Sequence, residues 1–155
     1  MCFKVDGFKV YRSTEGLQAE GQYLFNMPIE YNCLGKFRIR IAQQGRNHRI
    51  VIGIADYEKH KNQRTFLLSL DATYYQTNTG IIPTPFFNVG DIIEVHVDRC
   101  SNLIKYFVNG VLLQMQGPSF LADRNRVFVP AVDLPYLRNC VEWIPMINTN
   151  DIKSI

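Results

Sequence analysis

Two alternating apolar runs joined by a polar turn constrain the fold of this chain more than any other feature. They lie in VGDIIEVHVDRCSNLIKYFVNGVLL, from Val89 to Leu113. In both runs apolar residues recur at every second position, as in β-strands that bury one face. The second run ends in Asn109-Gly110, a pair that is common in turns. The segment therefore predicts an antiparallel hairpin with one apolar face.

The register of this hairpin follows if RCSN, residues 99–102, forms the turn. Asp98 then lies opposite Leu103, and the side chains on one face are all apolar. A slip by one residue would move all of them to the other face, which makes the register testable. The cross-strand pairs expected on the apolar face are Val97 with Ile104, Val95 with Tyr106, and Ile93 with Val108.

On the other face of the hairpin, Glu94, His96 and Asp98 occupy every second position of one strand. They could form a metal or acid–base site, or a charge-complementary outer face with Lys105 opposite His96. Side chains two residues apart on a strand are separated by about 6.6 Å, whereas a metal needs its ligands within about 2 Å. We therefore predict a structural face and no metal site.

The composition excludes several classes of protein. The chain has 155 residues, of which 46% are hydrophobic and 20% charged, as expected for one packed domain. The net charge of +3 is too small to indicate a nucleic-acid-binding protein, because phosphate recognition needs concentrated basic residues. No apolar run has the length of a membrane span, and the N-terminus lacks a signal-peptide pattern. We therefore expect a cytoplasmic or nuclear protein without nucleic-acid or membrane partners.

Neither the cysteine spacing nor a search for known catalytic motifs predicts a reactive site. The four cysteines have no CxxC spacing, and without a signal sequence we expect reduced thiols. Cys100 falls in the predicted turn and is interpreted as an exposed turn residue. Neither a nucleophile elbow nor a phosphate-binding glycine loop is present, so no catalytic residue, metal or cofactor is predicted. The cysteines are Cys2, Cys33, Cys100 and Cys140.

The rest of the chain consists of short apolar segments separated by turns, which is typical of an all-β sandwich or barrel. In KFRIRIA, residues 36–42, apolar and basic side chains alternate. HRIVIGIA, residues 48–55, is almost continuously apolar, and the intervening QQGRN predicts a hairpin between the two strands. Arg38 and Arg40 share one face, which could be a small basic patch or an ordinary solvent face. Further strands are predicted in GQYLFNMPI (21–29), TFLLSLDATYY (65–75), VFVPAVDL (127–134) and CVEWIPMI (140–147), with Trp143 in the core and one helical turn in 116–126.

The hairpin segment resembles the central signature of SPRY domains. In that family Gly-Asp begins a strand, an Asp ends it, and an aromatic strand closes in Asn-Gly; here these are Gly90-Asp91, Asp98, Tyr106-Phe107 and Asn109-Gly110. VYRSTEGLQAEGQYLF resembles the early strand pair of the family, IVIGIA its Val-Gly-Ile strand and VFVPAVDL its Pro-Ala-Val strand. The resemblance covers about residues 8–145 and identifies a divergent member.

The resemblance implies a single domain, an all-β, bent antiparallel β-sandwich of the SPRY and concanavalin-like type, over residues 1–147, with a C-terminal tail at 148–155. It also implies a non-catalytic module that recognises a protein or peptide through edge loops of the sandwich. Many SPRY domains are parts of larger proteins, and some select the substrates of ubiquitin ligases. Because lectins share this sandwich, carbohydrate binding is the alternative function.

The family's partner-contacting positions map to three places: the segment before the first family strand and the loops at 56–64 and 135–138, the two loops being expected at one edge. Tyr and Arg are favoured as interface anchors, although a charged loop alone is usually only a solvated turn. The predicted partner-binding residues are Phe8, Tyr57, Lys59, His60, Lys61, Arg64, Pro135, Tyr136 and Arg138. The carbohydrate alternative uses Tyr75, Gln76 and Asn78, where aromatic and polar side chains are adjacent.

Overall fold

A computed structural model describes residues 3–13, 22–43, 50–57, 68–71, 74–77, 80–83, 88–117, 119–134 and 137–146. No helix in these ranges is long and apolar enough to cross a membrane. The strands are β1 Phe3–Asp6, β2 Lys9–Arg12, β3 Gln22–Leu24, β4 Leu34–Gln43, β5 Val51–Asp56, β6 Leu68–Asp71, β7 Tyr74–Thr77, β8 Gly80–Pro83, β9 Ile92–Asp98, β10 Leu103–Val108, β11 Val111–Gln116, β12 Phe128–Asp133 and β13 Cys140–Ile144, with a 3₁₀ helix at Ser119–Ala122.

The described strands form antiparallel sheets around one hydrophobic core. The larger sheet has the order β1-β2-β13-β4-β9-β10-β11, the smaller sheet the order β3-β12-β5-β6, and β7 pairs with β8. Buried side chains from the larger and the smaller sheet form a single core cluster. The prediction of an all-β sandwich is therefore confirmed, and the predicted helical turn is the 3₁₀ helix at Ser119–Ala122.

The central hairpin has the predicted register. Val97 pairs with Ile104 and Val95 with Tyr106, and all four side chains are fully buried. Asn109 and Gly110 then form a second turn with φ of 50° and 83°, the left-handed values that a tight two-residue hairpin turn requires. This second turn leads into β11, a strand that the sequence analysis did not predict.

The hairpin predicted between residues 36–42 and 48–55 is wrong. β4 pairs with β13 and β9 in the larger sheet, whereas β5 pairs with β12 and β6 in the smaller one. The burial patterns explain this separation: β4 alternates between buried and exposed residues along most of its length, while all six residues of β5 are buried. β5 is an interior strand of its own sheet, so the chain crosses between layers after β4.

Two other predicted strand arrangements also differ. β2 and β3, the early strand pair, lie in different sheets, because β2 pairs with β1 and β13 while β3 pairs with β12. The strand predicted over 65–75 contains β6 and the first two residues of β7, which belong to different sheets. In both cases neighbouring segments of the chain contribute to different layers.

A row of aromatic rings joins the two layers near β3. Trp143 of β13 stacks on Phe37 of β4 at 5.7 Å between ring centroids and lies 4.8 Å from Phe25. Tyr23 of β3 continues the row, 5.1 Å from Phe25 and 5.7 Å from Phe3 of β1. Trp143 packs against the core as predicted, and edge and stacked ring pairs of this kind add stability beyond area burial.

Arg99, in the turn between β9 and β10, is a buried cation that is 4% exposed. Burial lowers the pKa of its guanidinium, although an arginine stays charged in proteins. Its N–H groups donate to four backbone carbonyls rather than to a carboxylate. The acceptors are the carbonyls of Leu121 at 2.9 Å, Ile29 at 3.2 Å, Asp123 at 2.6 Å and Arg126 at 3.0 Å.

The same guanidinium also contacts aromatic rings. It lies 4.8 Å from the ring centroid of Phe128, the first residue of β12, and 5.5 Å from that of Tyr31. Contacts of a cation with aromatic faces are attractive and gain strength when desolvated. Arg99 therefore connects the larger sheet, the segment before β12 and β12 itself.

The register of the central hairpin predicts the effect of truncating Val97. Val97→Ala removes two buried methyl carbons from a closed core, so we expect a loss of about 1–3 kcal/mol in the free energy of unfolding. Val111→Ala on β11 is the matched control, because Val111 is 60% exposed, and its effect should stay within about 0.5 kcal/mol. Urea denaturation measures both. Equal midpoints for the two variants would contradict the assigned register.

Removing the Arg99 guanidinium should destabilise the fold strongly. Arg99→Met keeps an apolar stem but leaves several buried carbonyls without donors, so we expect a loss of at least about 2 kcal/mol. Arg99→Lys should recover only part of this, since an ammonium group cannot match the planar fork. Arg40→Met, which breaks an exposed ion pair with Glu142, is the control and should cost about 1 kcal/mol at most. Thermal melting of the three variants tests this ranking, and an Arg99→Met variant as stable as Arg40→Met would refute it.

Candidate functional site

Only some of the predicted partner-binding residues lie in the part of the chain that the structure describes. Phe8, in the turn between β1 and β2, is 59% exposed, and Tyr57, which follows β5, is 39% exposed. Arg138 is exposed as well. Tyr75 and Gln76 lie on β7, where only the backbone is described. Outside the described residues lie Lys59, His60, Lys61, Arg64, Pro135, Tyr136 and Asn78.

The described ends of the two predicted binding loops are not brought together. In the antiparallel pairing of β5 with β12, Asp56 is opposite Phe128, and Val51 is opposite Asp133. The 56–64 loop therefore leaves one end of this strand pair, and the 135–138 loop leaves the other. Five residues of strand separate the two ends, about 17 Å. The two loops therefore begin on opposite sides of this strand pair, because antiparallel neighbours end on opposite sides. The shared edge itself involves residues outside the described ranges and stays a prediction.

Arg138 instead lies on a groove of about 590 Å³ at one end of the larger sheet. We call it the basic groove. β1 and β2 supply one wall, the last residues of β4 a second, and the segment entering β13 a third. The lining residues are Lys4, Lys9, Tyr11, Arg12, Ser13, Ala42, Gln43, Leu137, Arg138 and Cys140.

Side chains alternate along β2, and this alternation determines which of them lie on the outer face of the sheet beside the groove. Val10 and Arg12 are buried, whereas Lys9 is exposed and Tyr11 half-buried. Lys4 of β1 is the cross-strand neighbour of Tyr11, and its ammonium lies 6.0 Å from the Tyr11 ring centroid. The outer face of the β1–β2 hairpin therefore carries two lysines beside an aromatic ring.

A β-bulge shapes the β4 wall. Cys140 of β13 pairs with Gln43, but the next residue, Val141, pairs with Ile41, so Ala42 is an extra residue on β4. A bulge bends its strand and redirects the side chains beyond it. Ile41 is fully buried, whereas Gln43 is exposed and lines the groove.

Arg12 connects the groove to the segment after β12. It is 1% exposed, and its guanidinium donates to the carbonyl of Leu134 at 3.2 Å. Its backbone N–H donates to the carbonyl of Asn139 at 3.0 Å. These bonds hold Leu134 and Asn139, which precede and follow Arg138 in the chain, against β2.

The charge of the groove is positive. Lys4, Lys9, Arg12 and Arg138 line it, and none of the described lining residues is Asp or Glu. The nearest acidic residues in the sheet are Asp6 and Glu142, the cross-strand neighbours of Lys9. Glu142 is already paired with Arg40 at 2.7 Å, so it offsets the groove only in part.

The thiol of Cys140 is the nucleophilic group in the lining. Burial raises the pKa of this thiol, and the charge of Lys9 offsets the rise only in part. A thiol with a raised pKa stays protonated near neutral pH and is a poor nucleophile. The groove therefore offers binding groups rather than an activated side chain.

The outer face of β9 is occupied by structural contacts. Glu94 forms an ion pair with Arg38 of β4 and contacts His96 Nε2 at 2.6 Å. Partial burial would raise the pKa of Glu94, but the hydrogen bonds from Arg38 and His96 lower it overall. Lys105 lies opposite His96 as predicted, yet the cation paired with Glu94 is Arg38. Within the described ranges, no three His, Cys, Asp or Glu side chains are placed to hold a metal ion.

The suggested basic patch at Arg38 and Arg40 is also accounted for. Each of the two arginines is paired with a carboxylate of a neighbouring strand, Glu94 or Glu142. Arg46 and Arg49, the basic residues near the end of β4 in the sequence, lie outside the described residues. The described part of this face is therefore a set of cross-strand ion pairs.

Sequence reasoning missed Lys4, Lys9 and Arg12. A signal for their hairpin exists, because Asp6-Gly7 is flanked by FKV and FKV, and Asp-Gly between alternating residues is a strong hairpin signal. Gly7 indeed has φ of 61°. The groove itself had no such signal, since its walls come from segments far apart in the chain.

Comparisons with known proteins relate this architecture to solved structures. No family model and no curated protein matches the sequence. The SPRY domain of human HERC1 matches with a TM-score of 0.70 and 16% identity, covering 96% of this chain and 95% of that one. The TRIM65 PSpry domain matches with 0.66 and 11%, covering 94% and 85%. The neuralized-NHR1 domain of Drosophila melanogaster matches with 0.63 and 12%, covering 94% and 92%.

The matches extend over nearly the whole of this chain and most of each neighbour. At these identities they establish the fold. The chain is a SPRY-like β-sandwich domain.

Proposed function

We propose that this domain is a non-catalytic interaction module that recognises a protein or peptide partner at the basic groove. The observation that carries the proposal is the groove itself, an open cleft bordered by Leu137 and Arg138 and lined by cationic and aromatic side chains. The SPRY-like fold supports it, because SPRY and NHR domains generally bind protein partners. Tyr11 and Arg138 are of the residue types that most often anchor interfaces.

The backbone at Arg138 supports a prearranged site. Its φ of 73° is in the left-handed region, which is uncommon for a residue with a Cβ and persists where the surroundings hold it. The neighbouring Asn139 carbonyl is bonded to Arg12 of β2. A side chain presented from such a fixed backbone loses less entropy on binding than one on an unrestrained loop.

The other predicted binding residues have a different standing. Tyr57 follows β5 at the far end of the smaller sheet and is not among the described residues that line the groove. The carbohydrate alternative at Tyr75, Gln76 and Asn78 remains a prediction, as does an intracellular role within a larger protein such as a ubiquitin ligase. No described contact favours carbohydrate over protein.

Neutralising Arg138 should weaken partner binding without unfolding the domain. Arg138→Asn is the suitable change, because asparagine tolerates the left-handed conformation better than alanine. Peptides selected from a random display library against the purified protein should bind Arg138→Asn at least about fivefold more weakly, which corresponds to about 1 kcal/mol. Fluorescence polarisation measures the affinities, and melting temperatures verify folding.

Tyr57→Ala provides the matched control at the opposite end of the sandwich. It should change the affinity of the same peptides less than twofold. Binding that depends on Tyr57 and not on Arg138 would move the site to the 56–64 end. A library that yields no binder would overturn the proposal, and a glycan array that then yields a ligand would favour carbohydrate.

A further inference from the structure

We infer that the partner segment recognised by the basic groove is an acidic peptide, with Asp or Glu side chains at alternate positions of an extended stretch. This inference rests on the proposed function and specifies the chemistry of the partner. Three exposed cations carry it: Lys4, Lys9 and Arg138. Arg12 is left out, since its buried guanidinium has a structural partner in the Leu134 carbonyl.

The groove cations differ from Arg38 and Arg40, two other exposed cations on the same sheet. Arg38 and Arg40 each have a carboxylate partner from a neighbouring strand. Lys4, Lys9 and Arg138 form no ion pair with any carboxylate in the described ranges. Arg38 and Arg40 balance charge within the fold, whereas the groove presents charge that a ligand can neutralise.

The spacing of the two lysines fits an extended peptide. Lys4 lies opposite Tyr11, and Lys9 is two residues from Tyr11 on the same face. Side chains in this diagonal relation are about 7–8 Å apart. Alternate side chains of an extended peptide project from one side at about 6.8 Å. Two acidic side chains at positions i and i+2 can therefore each meet one lysine, while the Tyr11 ring, a neighbour of both lysines on this face, offers an apolar contact.

The number and arrangement of the cations favour a peptide over nucleic acid. The cations come from β1, β2 and the segment before β13, so they are spread along the groove rather than converging on one point. Three exposed cations are few for a nucleic-acid site, where strong binding typically involves about 6–10 phosphate contacts. The net charge of the chain is only +3, which adds little long-range attraction for a polyanion.

Substitution of Asp6 should change the affinity in the direction opposite to the loss of a lysine. It is exposed and lies opposite Lys9 on the same face, outside the groove lining. Its carboxylate opposes the approach of an acidic ligand. Asp6→Asn keeps a residue suited to the turn before Gly7, and it should therefore strengthen the binding of an acidic peptide.

The test begins with 12-residue peptides selected from a random display library against the whole chain. The selected sequences should be enriched in Asp and Glu. One of them, labelled with fluorescein, is compared with a copy in which Asn and Gln replace its acids. The acidic peptide should bind at least about tenfold more tightly, and its affinity should fall between 50 and 200 mM salt because the charges are exposed.

Variants then locate the site. Lys4→Gln and Lys9→Gln should each weaken the acidic peptide about threefold to tenfold, and Asp6→Asn should tighten it. Lys36→Gln is the matched control. Lys36 is an exposed lysine on β4 that lies opposite His96 in the sheet rather than next to the groove. Its loss should change affinity less than twofold. Melting temperatures confirm that each variant is folded.

The outcomes separate this inference from the proposed function. Selected peptides without acidic enrichment, or an equal effect of Lys36→Gln, would overturn the inference and leave peptide recognition standing. A labelled 12-nucleotide single strand that binds more tightly than the peptide, with the same variant pattern, would replace the peptide with nucleic acid. A selection that yields no peptide would overturn both.

Discussion

The arrangement of the two layers depends most directly on the hydrogen bonds and ring contacts of the Arg99 guanidinium. A buried charge is costly unless its hydrogen bonds are satisfied. Here four carbonyls meet that requirement, from residue 29 and from the stretch 121–126. Because the carbonyls belong to segments without regular strand pairing, the cation supplies the donors that a neighbouring strand would otherwise provide. It also lies against the ring of Phe128, where β12 begins.

The aromatic row stabilises the sandwich in a different way. Arg99 satisfies polar backbone groups, whereas the row from Phe3 to Phe37 removes apolar surface from water between β3 and the larger sheet. The core cluster lies between them, with β5 contributing Ile52 and Ile54 and the central hairpin Val95 and Val97. The basic groove lies beyond these contacts, at the end of the larger sheet, so its side chains can serve binding without weakening the core.

The central hairpin was predictable because three features indicate the same register. They are the alternation of its apolar residues, the position of its turn and the need to bury one face. Val97 and Ile104 were placed opposite each other by pattern alone, and the structure confirms the pair. The separation of β4 and β5 into different sheets was not predictable from their adjacency in the chain, although the continuous apolar run of β5 was a sign that both its faces are covered. Arg99 gave no signal, since a charged residue in a turn is normally exposed. For the site, Arg138 was named, but Lys4 and Lys9 come from a hairpin that was overlooked.

The extra residue in β4 has a consequence for how this domain tolerates changes in chain length. Side chains on a strand alternate, so an uninterrupted β4 would place residue 43 on the same side as Phe37, Ile39 and Ile41. The bulge at Ala42 resets that parity at the point where the core ends and the groove begins. The position of the boundary between the apolar interior and the polar cleft therefore depends on the number of residues in β4. Forcing Ala42 into the regular ladder would turn the Gln43 side chain toward the core, whereas deleting Ala42 would leave Gln43 opposite Cys140 and facing outward. The end of β4 should therefore accept the loss of this one residue without placing a polar side chain in the core.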